Sequence, residues 1–88
     1  MQVICINDEN KPERIFYTEW NKKGEVYTVI KAVRMGLQAG KFGFLLKEVQ
    51  LSEMSFPYEF YDSNRFAIYE NNMIKAEAIK EEEVLFDI

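Results

Sequence analysis

The feature that most constrains this fold is an unbroken block of β-branched and aromatic residues, VYTVI, at positions 26 to 30. Such side chains lose little freedom in an extended chain and pack well on a pleated sheet. Directly upstream, residues 21 to 24 (NKKG) supply turn chemistry, and Gly24 is the residue best suited to a positive φ. The block therefore predicts a long strand, residues 25 to 35, that begins straight after a turn.

This strand is long enough to bend. Its apolar set shifts from one face to the other between Tyr27 and Ala32, which predicts a bulge midway. Residues 36 to 40 (GLQAG) predict a hairpin loop, and residues 42 to 49 the returning strand. Long bent strands of this kind are typical of small barrels.

Four further segments complete the predicted architecture. QVICI at the start predicts a short strand buried on both faces, and an exposed loop follows it around Pro12. Residues 15 to 20 predict a helical turn that folds across one end of the core. Residues 62 to 64 favour a turn or 3₁₀ helix and residues 66 to 69 a last strand, with a helix over 57 to 64 as the alternative. The set indicates a small antiparallel barrel or a strongly curved sheet.

The C-terminal segment differs in composition from the rest. Asn71 or Asn72 can cap a helix over residues 73 to 84, but its apolar stripe is thin and three glutamates oppose the helix dipole. We therefore expect one domain at residues 1–70, followed by an acidic C-terminal helix or tail at residues 71–88.

The chain has no histidine and a single cysteine, Cys5, within an apolar run. Histidine is the commonest general base and zinc ligand, and a catalytic thiol needs a partner that lowers its pKa. The sequence therefore predicts no enzyme, no metal site and no cofactor. Met1 to Ile6 is too short for a signal peptide, and no apolar run approaches the ~20 residues of a membrane helix, which predicts a cytoplasmic protein.

Charge is unevenly distributed. Residues 1 to 50 carry a balance of +2 and residues 51 to 88 a balance of −6, which gives the net charge of −4. This distribution does not form the basic footprint typical of nucleic-acid-binding domains.

Four pieces of the chain, VICINDENKPERI, WNKKGEVYTV, GFLLKEV and SNRFAIYE, occur in an order that resembles a known family. It comprises small SH3-like barrel proteins encoded by bacteriophages and by bacterial genomes carrying prophages, notably in the Bacteroidetes. The residues that match its pattern are Trp20, Lys23, Gly24, Tyr27, Leu46, Glu48, Arg65 and Phe66. The resemblance covers residues 3 to about 70 and implies an SH3-like antiparallel barrel of four or five strands. It implies no activity.

Aromatic side chains in or near the loops define the candidate site. In small barrels, such side chains bind peptides or stack on single-stranded nucleic acid, although core packing is the alternative for each of them. We predict a non-enzymatic interaction module with a shallow groove between two loops. Its predicted partner-binding residues are Tyr17, Trp20, Lys22, Lys23, Tyr58 and Tyr61.

Two alternatives remain open. The first is nucleic-acid binding through a patch of Lys22, Lys23, Lys31, Arg34 and Lys41. The second is assembly, in which the C-terminal segment docks on a neighbouring copy of an otherwise monomeric or weakly oligomeric protein. For Arg65 we predict a structural role, with its guanidinium bonded to loop carbonyls or to Asp62.

Overall fold

The computed structural model describes residues 1–34 and 42–74 of the 88-residue chain. Three one-turn 3₁₀ helices, η1 to η3, interrupt the loops between six strands. The strands are β1 (Gln2–Cys5), β2 (Val26–Arg34), β3 (Phe42–Leu46), β4 (Tyr61–Asp62), β5 (Phe66–Glu70) and β6 (Met73–Ile74); the 3₁₀ helices are η1 (Tyr17–Glu19), η2 (Glu53–Ser55) and η3 (Ser63–Arg65). The strands form one antiparallel sheet in the order β4-β3-β2-β1-β5-β6. The prediction of a mainly β protein is confirmed.

β2 is the central strand of this sheet, and its two halves pair with different neighbours. Its first half pairs with β1, with Ile4 opposite Val26. Its second half pairs with β3, and the register shifts between Val29 and Lys31, so Ile30 is an extra residue. A bulge of this kind bends the strand and increases its twist, which confirms the predicted midway bulge.

The sheet curls strongly around its core. Phe44 on β3 and Phe66 on β5 have ring centroids 5.9 Å apart, although β2 and β1 lie between these strands. In a flat sheet, three strand spacings of about 4.8 Å would separate them by roughly 14 Å. The three residues of η3 also suffice to connect β4 with β5, four places along the sheet. The described strands do not close into a barrel, so the closed SH3-like barrel stays a prediction.

Side chains on the inner face of the curl form the core. Val3 and Cys5 point inward from β1, whereas Gln2 is exposed and Ile4 half-buried. The prediction that both faces of this strand are buried is therefore wrong, because the curl covers its inner face only. The core residues are Val3, Cys5, Ile15, Trp20, Tyr27, Ala32, Phe42, Phe44, Leu46, Tyr61, Phe66 and Ile68. Half of them are aromatic, as a domain of this size requires.

The chain after β5 contradicts part of the predicted C-terminal helix. Asn71 and Asn72 have φ values of 52° and 60°, both left-handed, and they form the two-residue turn between β5 and β6. Asparagine tolerates this conformation and is common in such hairpins. The helix predicted to begin at Met73 is therefore wrong for residues 73 and 74, which are a strand. Residues 75 to 84 of that prediction and the predicted hairpin loop at 36 to 40 lie outside the described residues.

The helix over residues 57 to 64, the alternative for that stretch, is also absent from the structure. β4 and η3 occupy this segment, and the Asp62 carboxylate caps η3 by accepting a hydrogen bond from the Asn64 N–H at 3.0 Å. The predicted 3₁₀ turn and the strand after it are confirmed. Within the two described ranges, no helix has the length and apolar character needed to cross a membrane.

Candidate binding groove along the second loop

Two long loops lie side by side at one end of the sheet. The first loop comprises residues 6 to 25 between β1 and β2, and the second loop residues 47 to 60 between β3 and β4. Both are at the same end because β1 and β3 are each antiparallel to β2 and so run in the same direction.

The Glu19 carboxylate ties the two loops together. Its Oε1 accepts hydrogen bonds from the Ser52 backbone N–H at 2.8 Å and from the Ser55 hydroxyl at 3.0 Å. These bonds hold the pKa of the Glu19 carboxyl below its usual range, and the bond from the Ser52 N–H has the largest effect. The ionised carboxylate thus acts as a latch between the loops, and we refer to it as the Glu19 latch.

Two further hydrogen bonds support this arrangement. The Tyr61 hydroxyl donates to the carbonyl oxygen of Glu19 at 2.5 Å, and burial raises the pKa of this phenol far above its usual range. Arg14 Nη1 lies 3.4 Å from the Phe56 carbonyl oxygen. The second loop is therefore fixed to the first loop near its middle, at Ser52, Ser55 and Phe56, and also where it leads into β4, at Tyr61.

The first loop is held in turn by Trp20 and Arg65. Trp20 Nε1 donates to the Asp8 carbonyl oxygen at 2.8 Å, and Arg65 Nη1 to that of Glu9 at 2.6 Å. The guanidinium carbon of Arg65 also lies 4.8 Å from the centroid of the Trp20 ring. The predicted structural role of Arg65 is confirmed for the loop carbonyls, whereas Asp62 caps η3 instead.

The structure separates the four predicted aromatic site residues into two pairs. Tyr17 and Tyr58 are 77% and 43% exposed. Trp20 and Tyr61 are only 7% and 2% exposed, and their ring centroids lie 6.5 Å apart within the core. The exposed pair is accessible to a partner, while the buried pair supports the loops from beneath.

A groove runs along the second loop. It has a volume of about 460 Å³ and is open to solvent. Its lining residues are Leu51, Ser52, Glu53, Phe56, Tyr58 and Glu59. Large apolar side chains are exposed on both loops: Phe16 and Tyr17 on the first loop, and Met54, Phe56 and Tyr58 on the second.

Sequence reasoning had selected only Tyr58 from the groove lining. Phe56 and Leu51 were missed because residues 50 to 56 have no apolar periodicity that distinguishes a binding surface from a buried loop. The available signal was local, since Phe56 and Tyr58 flank Pro57 and have Glu53 and Glu59 outside them. The Phe56–Pro57 peptide bond is cis.

Lys22 and Lys23 lie on the turn before β2 and do not belong to the groove lining. Their backbone N–H groups fix that turn, because Lys22 donates to the Tyr27 hydroxyl at 2.8 Å and Lys23 to Asp8 Oδ2 at 3.1 Å. Gly24 completes the turn with a φ of 89°, as its sequence context predicted. Both lysine side chains are exposed.

The four described cations of the predicted nucleic-acid patch lie at separate positions along β2 and the turn before it. Arg34 pairs with the buried Phe42 and so shares its face of the sheet, whereas Lys31 pairs with Leu45 on the opposite face. Lys22 and Lys23 precede β2, whose nine residues span roughly 26 Å, and Arg34 ends it. Lys41 lies outside the described residues.

Comparisons with protein-family models, curated proteins and solved structures found no match. The proposal of a function therefore rests on the geometry of the loops.

Cys5 is the one thiol of the chain and is buried beneath the first loop. Burial raises its pKa, and its Sγ accepts a hydrogen bond from Asn21 Nδ2 at 3.0 Å. A buried thiol with a raised pKa is a poor nucleophile. Across the described ranges, no group of three or more His, Cys, Asp or Glu side chains is placed to hold a metal ion.

Proposed function

We propose that this protein is a non-enzymatic interaction module that binds a segment of another protein in the groove along the second loop. The observation that carries this proposal is a set of exposed apolar side chains on loops that are themselves fixed by hydrogen bonds. Phe56 is 67% exposed, and Tyr58 lies beside it in the groove. Contiguous exposed apolar surface on a small soluble domain is typical of an interaction site.

The Glu19 latch favours binding because it fixes the groove before a partner arrives. Ordering a mobile loop opposes association, and a loop that is already fixed avoids this loss of entropy. Here η2 and the Phe56 carbonyl are bonded to the first loop through Glu19 and Arg14. A partner therefore meets an apolar surface of defined shape.

The charge of the groove favours a protein segment over nucleic acid. Glu53 and Glu59 belong to its lining, and both are exposed. Carboxylates repel phosphates, whereas nucleic-acid affinity depends on neutralisation of the phosphates by lysine and arginine. The dispersed positions of Lys31 and Arg34 support the same choice.

Selection from a displayed library of random twelve-residue peptides, with the full chain as target, tests the proposal. An enriched peptide is then titrated by fluorescence anisotropy against the wild type, Phe56→Ser and Tyr58→Ser. The matched control is Ile30→Ser, because Ile30 is 53% exposed on the β2 bulge and is not part of the groove lining.

We expect Phe56→Ser and Tyr58→Ser each to weaken binding by about tenfold or more, as central apolar contacts do, and Ile30→Ser to leave it unchanged. Circular dichroism of each variant checks that the fold is retained. Failure to enrich any peptide, or equal affinity in all four proteins, overturns the proposal.

For the fold and origin of the chain, we infer an SH3-like barrel protein of a phage or prophage that acts in the bacterial cytoplasm. The resemblance of residues 3 to 70 supports this inference, as do the β2 bulge, the curl of the sheet and η3 directly before β5. Genes for phage packaging or replication beside its own gene would support the origin. A neighbourhood of unrelated chromosomal genes would count against it.

Self-assembly is a second candidate, and β6 favours it. Among the described strands, β6 is an edge of the sheet, and Met73 and Ile74 are 69% and 54% exposed. Unprotected edge strands pair readily with other chains. Light scattering of the wild type and Ile74→Lys tests this, with a smaller mass expected for the variant. Identical monomer masses overturn it.

A further inference from the structure

The charge around the groove points to the chemistry of its occupant. Glu53 is the first residue of η2, and Glu59 follows Tyr58, so the two carboxylates bracket the apolar side chains in the chain. Neither makes an ion pair with another residue of the described segments. The groove therefore combines apolar side chains with two carboxylates that can accept a cation.

Two cations of the first loop form other contacts. Arg14 Nη1 lies 3.4 Å from the Phe56 carbonyl oxygen, and its guanidinium forms no ion pair with Glu53 or Glu59. The Lys11 ammonium donates to the carbonyl oxygens of Pro12 and Ile15 and lies 4.7 Å from the Tyr17 ring centroid. Arg14 therefore adds one positive charge beside Phe56 and Lys11 is held on the first loop, while both groove carboxylates can still pair with an incoming charge.

Two physical effects favour a cation in the bound segment. Opposite charges across an interface attract and steer the partner toward the correct site. The face of an aromatic ring also attracts lysine and arginine, and the groove exposes the rings of Phe56 and Tyr58 beside its carboxylates. An acidic segment would meet repulsion from the same groups.

Resting on the proposed function, we propose that the bound segment carries a lysine or arginine next to an apolar side chain. The cation pairs with Glu53 and Glu59, and the apolar side chain contacts Phe56 and Tyr58. Net negative charge on the whole chain is consistent with a cationic partner.

The test uses the full chain and the peptides enriched by display. Each lead peptide is compared with a version in which its lysines and arginines are replaced by glutamine. Both peptides are titrated against the wild type and the double variant Glu53→Gln/Glu59→Gln, at low and at physiological salt.

We expect the enriched peptides to contain a cation beside an apolar residue. Removal of that cation should weaken binding to the wild type by about threefold to tenfold at low salt, since exposed charge pairs contribute modestly and are screened. Removal of the cation should have little effect on binding to the double variant, because the glutamine amides that replace its two carboxylates carry no charge.

The outcomes separate the two proposals. Two results overturn the proposal of a cationic segment and leave the proposed function intact. The first is Phe56-dependent binding of peptides that lack a cation, and the second is binding to the double variant that is as tight as to the wild type. Absence of any Phe56-dependent peptide overturns the proposed function itself. Phe56-dependent binding of a single-stranded oligonucleotide, or a loss of self-association in Phe56→Ser measured by light scattering, overturns the cationic segment as occupant.

Discussion

Tyr17 and Trp20 lie three positions apart in the first loop, yet they belong to different regions of the molecule. Trp20 is one of the core aromatics, which are Trp20, Tyr27, Phe42, Phe44, Tyr61 and Phe66. Tyr17 is one of the loop aromatics, which are Phe16, Tyr17, Phe56 and Tyr58. The two sets have similar chemistry and opposite exposure, so their positions, and not their composition, determine which contribute to stability and which are accessible to a partner.

The largest expected difference between the two sets concerns stability. Phe44 is fully buried, and Phe44→Ala should reduce the free energy of unfolding by about 3–5 kcal/mol. Phe56→Ala removes an exposed ring and should change it by no more than about 0.5 kcal/mol. Urea unfolding followed by Trp20 fluorescence measures both. Equal losses in the two variants would break the distinction.

A smaller difference is expected for the tyrosine hydroxyls. Tyr61→Phe removes the donor to the Glu19 carbonyl oxygen and leaves that acceptor beneath the loops, which should cost about 1 kcal/mol. Tyr58→Phe should cost less than about 0.5 kcal/mol because its ring is exposed. The midpoints of urea unfolding give both values, and a larger effect at Tyr58 would contradict the assignment of Tyr61 to the core.

The Glu19 latch lies between the two regions and should respond to acid. Its pKa is lower in the folded than in the unfolded protein, so its contribution to stability is present above the unfolded value and is lost as pH falls through the folded value. We expect the urea midpoint of the wild type to fall below about pH 5, and to fall less steeply in Glu19→Gln. Identical acid dependence in both proteins would exclude the latch.

The smallest expected effect concerns the exposed end of the first loop. Tyr17→Ala removes the ring that the Lys11 ammonium faces, an exposed contact that contributes about 0.5 kcal/mol. The emission maximum of Trp20 should stay unchanged, because Trp20 keeps its bond to Asp8 and its contact with Arg65. A red shift on this substitution would show that the loop aromatics help to cover the core.

Local sequence patterns were sufficient to predict the elements whose conformation is determined by their own residues. β2 follows from its β-branched block, its bulge from the shift of the apolar face, and η3 from the capping carboxylate of Asp62. The turn at residues 71 and 72 was not decided locally, since asparagine suits both a helix cap and a left-handed turn. In the structure, residues 73 and 74 pair with the edge of β5, and this pairing requires the left-handed turn.

The candidate site was predicted less completely than the fold. The predicted groove between the two loops stays a prediction, because the observed groove is lined by the second loop alone; Tyr58 is the one predicted residue in that lining. The burial of Trp20 and Tyr61 depends on distant groups, the Asp8 and Glu19 carbonyls and the Arg65 guanidinium, that no local pattern brings near them. Phe56 was missed because residues 50 to 56 have no apolar periodicity that marks a binding surface.

The position of β1 in the sheet also determines when this chain can fold during its synthesis. β1 precedes the other five described strands in the chain, yet it lies between β2 and β5, and Val3 pairs with Ile68. β5, its second neighbour, is synthesised only after β2, β3 and β4. Such long-range pairing slows folding, and the core stays incomplete until Ile68 is available. We therefore expect β1 to gain its second partner late in folding.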